Sequence, residues 1–276
     1  NVGIELKRYR GQISTTYFSA LVPSALALDL QSHMAQVVKL VEENLGIQAR
    51  EIPDIYLVNS RTALEHVSEH VGVTLTSEDG YYKPYPPRSG IYLRTDFQRS
   101  DILRMLTHEY VHLVLMETVD NALLPAWLNE GIASYIEFEV GVQDGRLDSD
   151  RRWLYASAEI ARDAAISDTL PTLTSLENQV QWSKRLEPVI VAKQYAEAHM
   201  AVRFLAGKYG IQASLEIAKG IASGLTIDEA IFVILGVNYN DFQDSFYAWL
   251  IEWEDPSRIA VREYISYLDD VVTFQA

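Results

Sequence analysis

The chain has 276 residues, of which 48% are hydrophobic and 22% are charged, close to the averages for soluble globular proteins. Its 23 basic and 38 acidic residues leave a formal charge of −15, which argues against nucleic acids and anionic membrane surfaces as partners because both attract a basic face. The sequence has no cysteine, which excludes disulfides, iron–sulfur clusters and thiolate zinc sites.

No apolar run reaches the roughly 18–20 residues of a membrane-spanning helix, so we expect no membrane-embedded segment in this chain. The sequence opens at Asn1 rather than Met, which is typical of a mature or trimmed product. A chain without cysteine fits either side of a bacterial inner membrane. Of the two, we favour an extracytoplasmic location over a cytoplasmic one.

Strand and helix patterns alternate in the first third of the chain, which predicts an α/β lobe with a small mixed sheet over residues 1–98. The expected elements are one or two strands in 1–22, a helix over 23–45, a strand over 52–58, a helix over 61–71 after the N-cap Ser60, a loop over 76–90 and an edge strand at 91–93.

Helical periodicity dominates after residue 98 and predicts a larger helical lobe over 99–276. The expected helices are 100–118, 125–140, 149–166, 188–209, 212–223, 227–235, 240–253 and one near 256–268. The two lobes together form one unit of the α+β class.

Two histidines and a glutamate stand at metal-site spacing in the segment MLTHEYVHLVL. His108 and His112 are four residues apart on a predicted helix, so their imidazoles share one face and can bind a single cation. Glu109 follows the first histidine and can accept a proton from water beside that cation. The neighbouring residues are mostly apolar, and a buried helix with these three polar groups indicates a function for them.

The next predicted helix offers a third ligand. Glu130 comes 18 residues after His112, which is enough chain for the first helix to end, turn and return antiparallel beside it. Glu137 is seven residues further on the same helical face, where its carboxylate can accept a hydrogen bond from a ligand histidine. Gly131 is small, which permits close helix packing or leaves room for a substrate.

HEYVH followed by WLNEGIASYIE resembles the gluzincin metallopeptidases, specifically the aminopeptidase-N-type catalytic core shared with peptidase-MA-like proteins. This resemblance implies a zincin-like catalytic unit of the thermolysin/aminopeptidase-N type that hydrolyses peptide or protein substrates. It also implies one Zn²⁺ per chain, with Glu109 as the general base. The ligands that it implies are His108, His112 and Glu130.

A later segment, QYAEAHMAVRFLAGKYG, is similar to the family helix that carries a catalytic tyrosine. The resemblance places that role, hydrogen-bond donation to the tetrahedral intermediate, on Tyr195. His199, one turn later, is a further candidate to support the metal or share this role. For the substrate, the predicted edge strand of Ile91, Tyr92 and Leu93 could pair with an extended peptide.

The chain departs from the aminopeptidases of this group in one respect. They carry a G-x-M-E-N segment whose glutamate grips the free amino terminus of the substrate, and residues 76–98 contain no such segment. We therefore expect an endopeptidase rather than a strict aminopeptidase. Two alternatives are a catalytically silent binding protein with the same fold and a zinc hydrolase of a non-peptide substrate.

Overall fold

A computed structural model describes residues 6–75, 79–84, 90–145 and 147–254, with the side chains of 147–155 left out. The helix predicted near 256–268 lies outside this range. The five strands are β1 (Leu6–Arg10), β2 (Thr15–Ser19), β3 (Ile55–Val58), β4 (Gly80–Lys83) and β5 (Gly90–Arg94).

The five strands form one mixed sheet in the order β1-β2-β3-β5-β4. β1 pairs with β2 in antiparallel orientation. The next two pairs, β2 with β3 and β3 with β5, are parallel. The last pair, β5 with β4, is antiparallel. Each parallel pair needs a crossover connection. The connection from β2 to β3 contains α1, and the connection from β3 to β5 contains α2. The predicted α/β character of the first third is confirmed.

Ten α-helices and one short 3-10 helix, Leu173–Leu176, are present among the described residues. The helices are α1 (Ser24–Leu45), α2 (Arg61–Val71), α3 (Arg99–Thr118), α4 (Ala126–Gln143), α5 (Leu147–Ile166), α6 (Gln179–Lys184), α7 (Pro188–Tyr209), α8 (Ile211–Ala222), α9 (Ile227–Leu235) and α10 (Tyr239–Glu252). Most agree with the predicted spans to within three residues. The predicted N-cap is confirmed, because the Ser60 side chain accepts a hydrogen bond from the backbone N–H of Ala63.

The main core lies between one face of the sheet and the helices α1 and α3, and it continues into the helical lobe. α1 contributes its apolar stripe, which includes the fully buried Leu30, Met34 and Val37. α3 is buried around most of its circumference. The helix that bears the two histidines therefore packs directly against the sheet.

The opposite face of the sheet carries a stack of four tyrosines, one from each of four adjacent strands. In spatial order they are Tyr17, Tyr56, Tyr92 and Tyr81, with ring centroids 4.9, 4.5 and 4.8 Å apart and nearly parallel planes. Cross-strand aromatic pairs stabilise a particular register. This stack therefore joins β4 to the rest of the sheet.

The structure corrects the predicted edge strand. Ile91, Tyr92 and Leu93 lie in β5, which is hydrogen-bonded to β3 on one side and to β4 on the other. All three are buried, so they cannot pair with a substrate strand. The edge strand is β4, which lies inside the segment predicted as a loop. It is only four residues long and is followed by Pro84, so its own sequence gives a weak strand pattern.

No helix among the described residues is long and apolar enough to cross a membrane. The division of the chain into two lobes at residue 98 stays a prediction.

Candidate metal centre

Three helices, α3, α4 and α7, build the centre. α3 ends in a turn where Asp120 and Asn121 have φ values of 49° and 63°, a left-handed conformation that Asp and Asn tolerate better than most residues. The turn brings α4 back beside α3. α4 approaches α7 so closely that a Cβ added to Gly131 would lie 2.4 Å from the carbonyl oxygen of Ala198. The missing side chain at this position therefore serves helix packing.

The side chains of His108, His112 and Glu130 converge on one point. The two histidine Nε2 atoms are 3.0 Å apart, and Glu130 Oε2 lies 3.3 Å from His108 Nε2 and 3.4 Å from His112 Nε2. Zinc bonds to nitrogen and oxygen of about 2.0–2.2 Å in a tetrahedron put ligand atoms about 3.3–3.5 Å apart. The three atoms therefore already have nearly the spacing of three corners of a zinc tetrahedron.

The other ring nitrogens determine which histidine atoms can bind the metal. His108 Nδ1 lies 2.8 Å from Glu137 Oε2, and His112 Nδ1 lies 3.2 Å from Asn129 Oδ1. Both partners are acceptors, so in the neutral imidazoles each Nδ1 carries the proton and each Nε2 presents a lone pair. Two lone pairs and a carboxylate oxygen that face one another repel unless a cation lies among them. The donor set therefore fits a divalent metal.

The electrostatics of the cluster also favour a positive charge among these side chains. Burial opposes a charge on His108, but hydrogen bonds to Glu130 and Glu137 outweigh it and raise its pKa to about 10. Burial likewise opposes the charge on Glu130, yet the two neighbouring histidines hold the pKa of its carboxyl well below the usual range. Both shifts arise because the neighbouring carboxylates stabilise a positive charge at this point, whether a proton on His108 or a divalent cation carries it.

A second carboxylate supports the first ligand from behind, as the sequence predicts for Glu137. One oxygen is the acceptor for His108, and Oε1 accepts a hydrogen bond from Arg104 Nη1 at 2.6 Å. Burial acts against ionisation of Glu137, but Arg104 and His108 together lower the pKa of its carboxyl. The carboxylate is therefore charged and held at both ends, which fixes the orientation of the His108 ring.

Glu109 stands beside the ligands in a cleft of about 730 Å³ that is also lined by His108, His112 and Glu130. Its carboxylate accepts a hydrogen bond from the backbone N–H of Tyr82 on the edge strand. Burial raises the pKa of Glu109, although the two histidines partly offset this rise. A carboxylate with a raised pKa is a stronger proton acceptor than an exposed one.

The two predicted residues of α7 occupy different environments. Tyr195 lines the cleft, with its ring edge-on to Trp182 at a centroid distance of 5.0 Å. His199 is fully buried, 6.2 Å from the Phe138 ring, and is not among the described residues that line the cleft. Although it lies one turn after Tyr195, α4 covers α7 at that level. The structure therefore does not support a contact between His199 and the metal.

Three residues that contact the candidate centre were not predicted from the sequence. Asn129 orients His112 and directly precedes Glu130, so the WLNEG segment itself carried that signal. Arg104 is four residues before His108 on the same helix, and i,i+4 spacing could have placed it on the same face. The contact of Tyr82 with Glu109 could not be predicted, because Tyr82 lies in a segment that the sequence predicts as a loop.

Two solved structures resemble this chain in fold. Yeast LTA4 hydrolase in complex with bestatin aligns with a TM-score of 0.54 and 13% identity over 91% of this chain and 40% of the yeast chain. An aminopeptidase N family protein from Idiomarina loihiensis aligns with a TM-score of 0.53 and 13% identity over 88% of this chain and 46% of the other. The chain thus spans less than half of either relative. No curated protein matches the sequence.

These alignments confirm the zincin-like fold, with a small mixed-sheet lobe followed by a helical lobe. The sequence also matches the Peptidase MA superfamily over residues 95–252, more than half of the chain. That range contains α3 and α4, which carry His108, His112 and Glu130, and α7, which carries Tyr195. The chain belongs to the Peptidase MA superfamily.

Proposed function

We propose that the protein is a zinc-dependent metallopeptidase that cleaves peptide bonds within polypeptides. The observation that carries this proposal is the convergence of His108, His112 and Glu130 within 3.0–3.4 Å at a cleft that also contains Glu109. These three residues would hold the zinc ion, which would supply a Lewis acid able to polarise a carbonyl and make water more acidic.

The protein's own residues would carry the proton and orient the substrate. Glu109 accepts the proton of the attacking water and returns it to the amine that leaves, a role for which burial has raised its pKa. The Tyr195 hydroxyl donates a hydrogen bond to the oxyanion that develops on the carbonyl. Among the described residues, β4 lies at the edge of the sheet and lines the cleft with Gly80, Tyr81 and Tyr82. An extended peptide can therefore lie alongside β4 rather than along residues 91–93, the edge strand that the sequence predicts.

The carboxylates of the cleft favour an endopeptidase over a strict aminopeptidase. An aminopeptidase needs a carboxylate to hold the free amino group of its substrate. Among the described residues, Asp79 lines the cleft but is paired with Arg94, with its Oδ1 2.9 Å from Arg94 Nη1. The other lining carboxylates, Glu109, Glu130 and Glu137, belong to the candidate metal centre. None of these four is thus poised for a substrate amine.

The test compares the wild type with Glu109→Gln and with Glu117→Gln, a substitution on the same helix outside the cleft. We expect all three proteins to bind one equivalent of zinc by metal analysis. The wild type and Glu117→Gln should cleave a mixed library of N-acetylated peptides, and Glu109→Gln should lose about 10²–10⁴-fold of that activity because the proton acceptor is absent.

Other outcomes would contradict the proposal. Zinc binding without any turnover would favour the silent binding protein, and turnover of non-peptide substrates alone would favour the other hydrolase. Cleavage of free peptides but not of N-acetylated ones would identify an aminopeptidase. Unchanged activity in Glu109→Gln would show that a different group accepts the proton.

A further inference from the structure

The six histidines of the chain, all of them among the described residues, lie in two kinds of environment. His66 and His70 are exposed, and both lie on α2. The other four are buried or partly buried between packed elements: His33, His108, His112 and His199. The exposed imidazoles of the chain are therefore confined to two positions on one helix.

The spacing of these two histidines is that of a metal-binding pair. Residues 66–70 read HVSEH, in which the glutamate precedes the second histidine instead of following the first, as it does in HEYVH. This reversed order also occurs in zinc-binding helices. Side chains three and four residues apart on a helix have Cβ atoms about 5–6 Å apart on one face. Both imidazoles can therefore bind one cation, with the carboxylate of Glu69 beside it.

The surroundings of this pair differ from those of the candidate metal centre. α2 packs against the tyrosine-bearing face of the sheet, and none of its residues is among the described residues that line the cleft. Glu65 is paired with Arg61 at 2.7 Å, whereas no hydrogen bond or ion pair within the described part of the chain engages the side chains of His66, Glu69 or His70. These three groups are thus available to a cation, but no cleft beside them holds a substrate.

We propose that His66 and His70 form a second metal site, on the exposed face of α2, for a divalent transition-metal ion. Imidazole ligands suit copper, nickel and zinc, and among divalent ions of this row Cu²⁺ binds most tightly to a given set of ligands. The two imidazoles act as one chelate, because the first contact holds the second ring at a high effective concentration. The site has two histidine ligands and no buried carboxylate, so it should hold an ion less tightly than the candidate centre and serve binding rather than catalysis.

The test measures the affinity of the zinc-loaded protein for Cu²⁺ held on an iminodiacetate resin, with free imidazole as the competitor. The immobilised ion can reach exposed imidazoles but not His108 and His112, which line the cleft. We expect the wild type to bind at least about tenfold more tightly than His66→Gln or His70→Gln, because loss of either ring removes the chelate. The two single variants should be equally weak.

The matched control combines Glu65→His with His66→Glu, which keeps the composition and leaves the two histidines five residues apart. Five residues turn a helix by about 140° beyond a full circle, so the rings cannot share one ion, and this protein should bind as weakly as the single variants. Two independent histidines would instead give a loss of only about twofold in each single variant and none in the control. Either of these results, or a wild type that the resin does not retain, would overturn the proposal.

Discussion

At the residue scale, the candidate centre depends on a chain of charged contacts that runs from solvent to the candidate metal ligands. The partly exposed Arg104 holds Glu137, Glu137 holds His108, and His108 presents Nε2 to the point shared with Glu130. A charged hydrogen-bond partner behind a ligand histidine fixes its ring and makes its free nitrogen more basic. The affinity for zinc should therefore depend on a residue that does not touch the metal.

We predict that Glu137→Gln weakens zinc binding by about 10–100-fold, because the amide lacks the charge that His108 and Arg104 require. Competition with a chromophoric chelator would measure the change. Glu139→Gln is the control, since Glu139 lies on the same helix and pairs with Arg203 at 3.1 Å. Equal zinc affinities in the two variants would show that Glu137 does not support the centre.

At the scale of elements, the packing of α4 on α7 sets the distance between the candidate ligand Glu130 and the cleft residue Tyr195. Gly131 lies at this contact, with Ala198 backbone and the Val202 side chain where its Cβ would be. The sequence left two readings of Gly131 open, and the structure decides for close packing. The two readings could be separated only by the position of α7, which no local sequence pattern specifies.

Gly131→Ala should lower the free energy of unfolding by about 1–3 kcal/mol, because the methyl group must push two helices apart. Gly207→Ala on α7 is the control, since a Cβ there meets nothing within 4 Å, and it should stabilise the protein by about 0.4–1 kcal/mol. Urea denaturation would measure both. A Gly131→Ala protein as stable as the wild type would mean that α4 and α7 are not in close contact.

Helix and strand elements differed in how well local sequence specified them. α2 begins and ends where the pattern predicts, because its N-cap and its terminal Gly72 are local signals. The strand β4 escaped prediction because its four residues are stabilised by pairing with β5 and by the stacking of Tyr81 on Tyr92. These contacts lie about ten residues away along the chain, beyond any periodic pattern.

At the scale of the whole molecule, a buried acid links distant parts of the helical lobe. Glu197 on α7 is fully buried, and its Oε1 lies 3.1 Å from the hydroxyl of Tyr247 on α10. That hydroxyl also lies 2.9 Å from the carbonyl oxygen of Pro171, so it has one proton for two acceptors. If Glu197 is protonated, both contacts can be hydrogen bonds: Tyr247 donates its proton to one acceptor, and the proton of Glu197 makes the hydrogen bond between Glu197 and Tyr247. Burial accordingly raises its pKa well above 4.5.

This carboxyl makes the stability depend on pH. The folded state binds its proton more tightly than the unfolded chain does, so its contribution is complete below the ordinary pKa of 4.5 and is lost as the pH rises above that value. The unfolding free energy of the wild type should fall as the pH rises above 4.5. In Glu197→Gln the slope of this fall should be smaller by up to about 1.4 kcal/mol per pH unit. Urea titrations from acidic to neutral pH would measure it.

Glu216→Gln, at an exposed glutamate paired with Lys219, should leave the pH profile as in the wild type. Identical slopes for the wild type and Glu197→Gln would show that Glu197 is ionised in the folded protein.

The candidate ligands and the candidate base could be predicted from local sequence. His108, Glu109 and His112 lie within five residues on one helix, and helical periodicity alone places both imidazoles on one face. Glu130 and Glu137 followed from the same periodicity on the next helix. The family resemblance added Tyr195, which the structure places in the cleft.

Three facts could not be predicted from local sequence: β4 lies at the edge of the sheet among the described residues, His199 is buried beside Phe138, and Leu123 and Val191 line one cleft. Each of these facts depends on contacts between segments far apart along the chain. Local periodicity determines the direction in which a side chain leaves its own helix or strand. What that side chain meets depends on how the other elements pack, and no pattern within one element contains that information.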